Sequence, residues 1–225
     1  MNSLFTYLKE HLADKKLVLL GELHGTHEIP VLLTEFFSTY ARHSPFTLCL
    51  EIPEESQVFI DQFFTTGKEI DLKNILFFSR EDRDGRDSLE YLHLIKHLYL
   101  LKLRLKNEIK IRCIDTTDFR DPNKREAFLA NKIFSLLSDQ ITFVILGDIH
   151  PCRKIVSLPG MEIITAGYIL SKKLGNQLLT VHLQPRSGSC FNNEIKFVEE
   201  PSDLSDYYDL TYPIKHVTPC SFLKN

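Results

Sequence analysis

Two apolar runs in this sequence end in the same pattern: a glycine, an acid, one further residue and a histidine. Lys16 to Leu20 leads into Gly21-Glu22-Leu23-His24, and Ile141 to Leu146 leads into Gly147-Asp148-Ile149-His150. An apolar, β-branched run that stops at glycine reads as a strand buried on both faces, the kind found in parallel sheets. In open α/β sheets the ligand site lies beyond the carboxyl ends of such strands. Both histidines are therefore expected at one edge of one sheet.

The rest of the chain alternates in the same way. His27 to Arg42 carries apolar residues at helical spacing, Phe46 to Leu50 reads as a second strand, and Ser56 to Phe64 and Leu72 to Phe78 as short helices. A polar loop from Ser79 to Ser88 opens a long helix through Leu105, with Ser88 suited to cap it. Ile109 to Ile114 reads as a third strand ending at Asp115, Lys124 to Leu137 as a helix, and Thr165 to Leu174 as a helix closed by Gly175. Leu178 to Leu183 reads as a fifth strand. Glu194 to Val198 and Asp209 to Ile214 are expected to form an antiparallel edge or a cap. The expectation is one α/β domain over residues 1–225, with a mostly parallel central sheet, helices on both faces and edge strands or a cap over 185–225.

Composition narrows the function. With 225 residues and 43% hydrophobic content the chain can bury a full core. A net charge of −3 with interspersed signs lacks the basic footprint of a nucleic-acid binder. The basic stretch from Lys102 to Arg112 alternates with leucines and reads as a solvated helix face. No window reaches the roughly 18 apolar residues of a membrane span, and the charged N-terminus does not read as a signal peptide. Five scattered cysteines without a C-x-x-C pair argue against a disulfide framework or a structural zinc cluster, so a cytoplasmic location is expected.

The strand ends collect Glu22 and His24, Glu51, Asp115 and His150. On neighbouring strands about 4.8 Å apart these groups converge, and five ionisable side chains are costly to bury without a purpose. Two chemistries suit them. In one, His24 is a general base oriented by Glu22 or Glu51 and activates water against an ester or amide. In the other, Glu22, His24 and His150 hold a divalent metal that acidifies a bound water. Spacing does not separate the two. Arg80, Arg83 and Arg86, with Arg125 beside Glu126, are expected on the same side of the sheet, where a guanidinium clamps a carboxylate or stabilises an oxyanion. His93 and His97, four apart on the long helix, and Cys152 near His150 are weaker candidates. G-x-S-x-G, G-x-G-x-x-G and P-loop patterns are absent.

Gly21-Glu22-Leu23-His24-Gly25 resembles the opening motif of the superfamily that joins ChaN-like haem-binding uptake proteins, Tiki proteases, TraB/GumN-type proteins and erythromycin esterases. Asp84-Gly85-Arg86-Asp87-Ser88, the Arg125-Glu126 helix start, Gly147-Asp148-Ile149-His150-Pro151 and Gly188-Ser189-Cys190 are similar to its later blocks. The spacing of Glu22 and His24 is nearer to the ChaN-like form, and Asp148 stands where asparagine is commoner. The resemblance implies an α/β fold with Glu22, His24, Glu51 and His150 at its centre and Arg86 and Arg125 orienting the substrate, and the strand ends place Asp115 beside them as a further substrate-binding residue. It implies a hydrolase acting on an ester, amide or phosphate-like bond of a small molecule or peptide. The rivals are a haem- or metal-binding module without turnover and a pseudoenzyme that binds a ligand.

Overall fold

A computed structural model describes residues 3–73, 75–79, 83–116, 121–198 and 204–222. Helix α1 (Leu4–Leu8) precedes strand β1 (Leu17–Glu22). The chain then runs through α2 (Glu28–Tyr40), β2 (Phe46–Pro53), α3 (Gln57–Thr66), α4 (Glu69–Lys73), α5 (Leu89–Leu105), β3 (Ile109–Asp115), α6 (Pro122–Ser135) and β4 (Thr142–Gly147). A short hairpin, β5 (Val156–Leu158) and β6 (Met161–Ile163), leads to α7 (Ala166–Leu174) and β7 (Leu178–Pro185). A second hairpin, β8 (Ser189–Asn192) and β9 (Glu194–Phe197), comes before β10 (Leu210–Ile214).

Six strands form one sheet in the order β10-β7-β1-β4-β2-β3, with all neighbours parallel. The two-residue period of a strand sends alternate side chains to opposite faces. Val18, Leu20, Phe143, Ile145, Leu48 and Leu50 pack into the core under α2 and α5, while Leu17, Leu19, Val144, Leu146 and Cys49 pack against α6 and α7. That is why these strands carry no polar alternation. Phe36 and Phe37 of α2 each meet the Phe143 ring edge-on at 5.4 Å, which seats the helix on the sheet.

Helix starts follow local capping chemistry. The Ser88 side chain accepts the Tyr91 N–H at the head of α5, and Thr165 accepts that of Tyr168 at α7. Asp121 caps α6, and Pro122 takes the first position, where a missing N–H costs nothing; the helix therefore begins two residues before Lys124. The helix expected over Leu72 to Phe78 is instead the end of α4 followed by a separate 3₁₀ turn, Leu76–Ser79.

The expected antiparallel edge divides into two structures. Within this C-terminal stretch the antiparallel strand pair is the β8–β9 hairpin, apart from the main sheet, whereas β10 joins β7 in parallel. The cause is the return path. Asp209 is bonded to Thr180 near the start of β7, so the chain enters β10 at the amino end of its neighbour. All five cysteines are free and buried. Among the described residues no helix is long and apolar enough to cross a membrane.

Candidate active site

The carboxyl ends of β1, β2, β3 and β4 deliver their polar residues to one place. Glu51, on β2 and 5% exposed, is the hub. Its Oε1 accepts from Arg86 Nη1 at 2.8 Å and Arg125 Nη2 at 2.5 Å, and its Oε2 from the Gly147 N–H at 2.8 Å. Asp115, on β3, takes Arg125 side-on, Nε to Oδ1 at 3.1 Å and Nη2 to Oδ2 at 2.9 Å, and also Arg86 Nη1 at 2.9 Å. Burial favours the neutral acid at Glu51, yet the Arg86 guanidinium and the His24 ring hydrogen-bonded to it hold its carboxyl well below the usual range. Both arginines thus reach the acids, and the repulsion among buried carboxylates is offset from within.

The two histidines stand over Gly147. A side chain at that glycine would begin 2.9 Å from His24 Nε2, close enough to displace that ring, and in ordinary contact with His150 Cδ2 at 3.5 Å. His24 Nδ1 donates to Glu22 Oε1 at 2.8 Å, and its Nε2 lies 3.4 Å from Glu51 Oε2. Burial opposes a charged ring there, but the hydrogen bonds and charges of Glu22 and Glu51 outweigh it and raise the pKa to about 10. At neutral pH His24 is an imidazolium. Tyr91 from α5 donates its hydroxyl to the same Glu22 oxygen.

His150 has a different partner set. Its Nδ1 meets Glu126 Oε1, and Arg125 Nη1 lies 3.0 Å from its Nε2. A guanidinium only donates, so Nε2 must accept and Nδ1 must carry the proton. Glu126, 2% exposed, is held in turn by the Ala166 N–H at 2.7 Å. It is the partner that sequence reasoning missed. Its position beside Arg125 near the start of α6 was visible, but an acid near a helix start reads equally well as a favourable dipole contact.

The expected metal set of Glu22, His24 and His150 does not assemble. Among the described residues no group of three or more His, Cys, Asp or Glu side chains is placed to hold an ion. Both Nδ1 atoms donate to glutamates, His24 Nε2 is protonated, and a guanidinium occupies His150 Nε2. A nitrogen already facing a cation repels a second one, so His150 Nε2 as held here is not offered to a metal. The weaker candidates stay apart. His97 bonds Ser38 Oγ at 2.6 Å on the outer helix layer. Cys152 is buried, and its thiol is pushed up to about 12, which leaves no thiolate. Arg80 lies outside the described residues, and Arg83 pairs with Asp87 at 3.9 Å.

A cleft of about 680 Å³ opens over this cluster. His24, Glu51, Arg86, Arg125, Glu126, Asp148 and His150 line it, together with Asn192 at the end of β8 and Asn193 after it. Asp148 hangs at its edge, its carboxyl pushed up by burial.

No protein-family model and no curated protein matches the sequence. Solved structures do match. A succinoglycan biosynthesis protein aligns with a TM-score of 0.76 at 11% identity, over 96% of this chain and 92% of its own. A Bacillus cereus protein aligns with a TM-score of 0.76 at 10% identity, over 98% and 93%. A histidine-to-asparagine variant of the erythromycin esterase EreC, in its open conformation, aligns with a TM-score of 0.65 at 10% identity, over 88% and 79%. At these identities the likeness is one of fold. The chain thus has the α/β fold of an erythromycin esterase, one branch of the superfamily that its glycine–acid–x–histidine motifs resemble.

Proposed function

We propose that this protein is a hydrolase that directs water against an ester or amide carbonyl, with His150 as the base and His24 as the acid. One observation carries the reading. Two histidines share a cleft, each anchored through Nδ1 on a buried glutamate; Glu22 and Glu51 keep the proton on His24, while Arg125 Nη1 faces Nε2 of His150 and leaves that nitrogen the accepting role. One ring that holds its proton and one that offers a lone pair are what a site needs to run acid and base chemistry at one pH.

The sequence suggested His24 as the base. Two carboxylates around it keep the proton on, so the accepting role falls to His150. At rest Arg125 Nη1 shares the His150 lone pair. A substrate carbonyl that takes over this donor is polarised by it and frees the base in the same movement. Water then attacks the carbonyl carbon and its proton passes to His150 Nε2. The bond to the leaving oxygen or nitrogen breaks, and that atom takes the proton from His24 Nε2. Solvent reprotonates His24 and deprotonates His150, and the site is restored. Glu51 stays an anion throughout and keeps Arg86 and Arg125 in place. The fold neighbour named an erythromycin esterase supports a hydrolytic use of this architecture.

The test is hydrolysis of p-nitrophenyl acetate by the parent, His24→Ala and His150→Ala. Each substitution is expected to lower kcat by about 100-fold or more, with an unchanged circular dichroism spectrum. Full turnover in both variants removes these histidines from the mechanism. No turnover in the parent, with a haem absorption band on titration that both substitutions weaken, makes the protein a haem-binding module.

A further inference from the structure

The cations of the cleft are already matched. Arg86 donates Nε and Nη2 to Asp84 Oδ2 at 3.0 and 2.6 Å, and Nη1 to Glu51 and Asp115. Arg125 is held by Asp115, Glu51 and His150. Glu126 and Asp148 line the same cleft, and among the described residues neither has a lysine or arginine partner. An anion arriving here meets Glu126 and Asp148 and must compete with Glu51, Asp84 and Asp115 for the two guanidinium groups. Arg86 and Arg125, expected to clamp a carboxylate or phosphate, line the cleft with their guanidinium groups bound to its acids.

Two other lining residues offer different chemistry. Asn192 and Asn193 are exposed in the cleft, and the described residues make no side-chain hydrogen bond to either. Their backbone is fixed: the Phe191 N–H donates to the Gly25 carbonyl at 2.9 Å and the Asn193 N–H to the Arg83 carbonyl at 2.7 Å. Asn193 has φ 58°, a left-handed conformation that asparagine tolerates, so its identity has a backbone reason. Asn192 has no such reason. An amide offers both a donor and an acceptor, which suits hydroxyl, carbonyl and amide groups.

Building on the hydrolytic reading of this cleft, we propose that its substrate is an uncharged carboxylic ester or amide seated against Asn192 and Asn193, and that anionic substrates, phosphate esters included, are refused.

Two measurements on the full chain test this. In turnover, p-nitrophenyl acetate is expected to be cleaved and p-nitrophenyl phosphate not. Asn192→Ala, and Asn193→Gly which keeps the backbone free to be left-handed, are expected to raise KM about tenfold, with the loss falling on KM rather than kcat. Binding is read separately, by titrating phenylacetamide and phenylphosphonate while following the ring proton resonances of His24 and His150. Phenylacetamide is expected to shift them, several-fold more weakly in both asparagine variants, and phenylphosphonate not to. A protein that binds phenylacetamide in this way but cleaves no ester loses the hydrolase reading and keeps this one. Preference for the phosphonate, binding of neither probe, or unchanged amide binding in both variants overturns it.

Discussion

His24 is held by two carboxylates, so its proton is tied to the fold. The folded pKa, about 10, lies above the ordinary 6.5. The native state therefore keeps a proton that the unfolded chain releases. The resulting stabilisation is fully present below about pH 6.5 and is lost as the pH rises through about 10. Urea unfolding of the parent is expected to show a decline across that window, and His24→Gln is expected to flatten it. Equal slopes would mean that Glu22 and Glu51 do not hold the proton there. The residues of this site differ in how legible they are in the sequence. Glu22, His24, Glu51, Asp115 and His150 follow strand-like runs directly, so strand geometry alone carries them to one edge. Tyr91 and Glu126 lie inside helices, where helical periodicity explains their presence without any site. The protonation states were not legible at all, because they depend on which guanidinium faces which nitrogen.

At the level of elements, β1 owes its fit to a glycine. Gly21 pairs with His182 of β7, and the Tyr208 ring stacks on His182 with centroids 4.9 Å apart. A methyl group at Gly21 would run into the Tyr208 hydroxyl, which donates to the Asp148 carbonyl at the root of the His150 loop. Gly21→Ala is expected to cost about 1–3 kcal/mol, the usual penalty for overpacking a core. Removing the hydroxyl with Tyr208→Phe in the same chain should return part of that loss. A Gly21→Ala protein as stable as the parent in urea would show that the ring has room to move. The sequence marked this glycine as a strand end, although it is inside the strand. Its partner Tyr208 belongs to the return segment before β10, whose parallel direction local patterning did not reveal. Parallel or antiparallel pairing at an edge depends on the path between strands, and alternation within a strand is the same for both.

At the scale of the whole molecule, the site is assembled from loops that no single element connects. The segment after β10 ties them. Pro219 bridges Thr26, the Cys220 N–H donates to the Gly25 carbonyl at 3.0 Å, and the His27 N–H donates to the Thr218 carbonyl at 2.9 Å. These bonds fix the loop that carries His24. Its far end is fixed on α5, which begins just after the Arg86 loop: the Leu89 N–H donates to the Ser221 carbonyl at 2.8 Å, and the Ser221 N–H meets both Glu90 oxygens at 3.1 Å. Glu90 also takes His27 Nδ1 at 2.9 Å and is 6% exposed. One buried carboxylate thus joins the segment after β10, the start of α2 and the start of α5. Glu90→Ala leaves the Ser221 N–H without its charged acceptor, and a hydrogen bond to a charged group is worth about 1.5–3 kcal/mol. The variant is expected to lose stability of that order and to lower kcat by releasing His24 and Arg86 together. Glu90→Gln, which keeps one carbonyl acceptor, should lie between it and the parent in both measurements. If Glu90→Ala unfolds in urea with the parent and turns over ester at the parent rate, the segment only covers the surface, and the alignment of His24 with Arg86 has to come from the sheet alone.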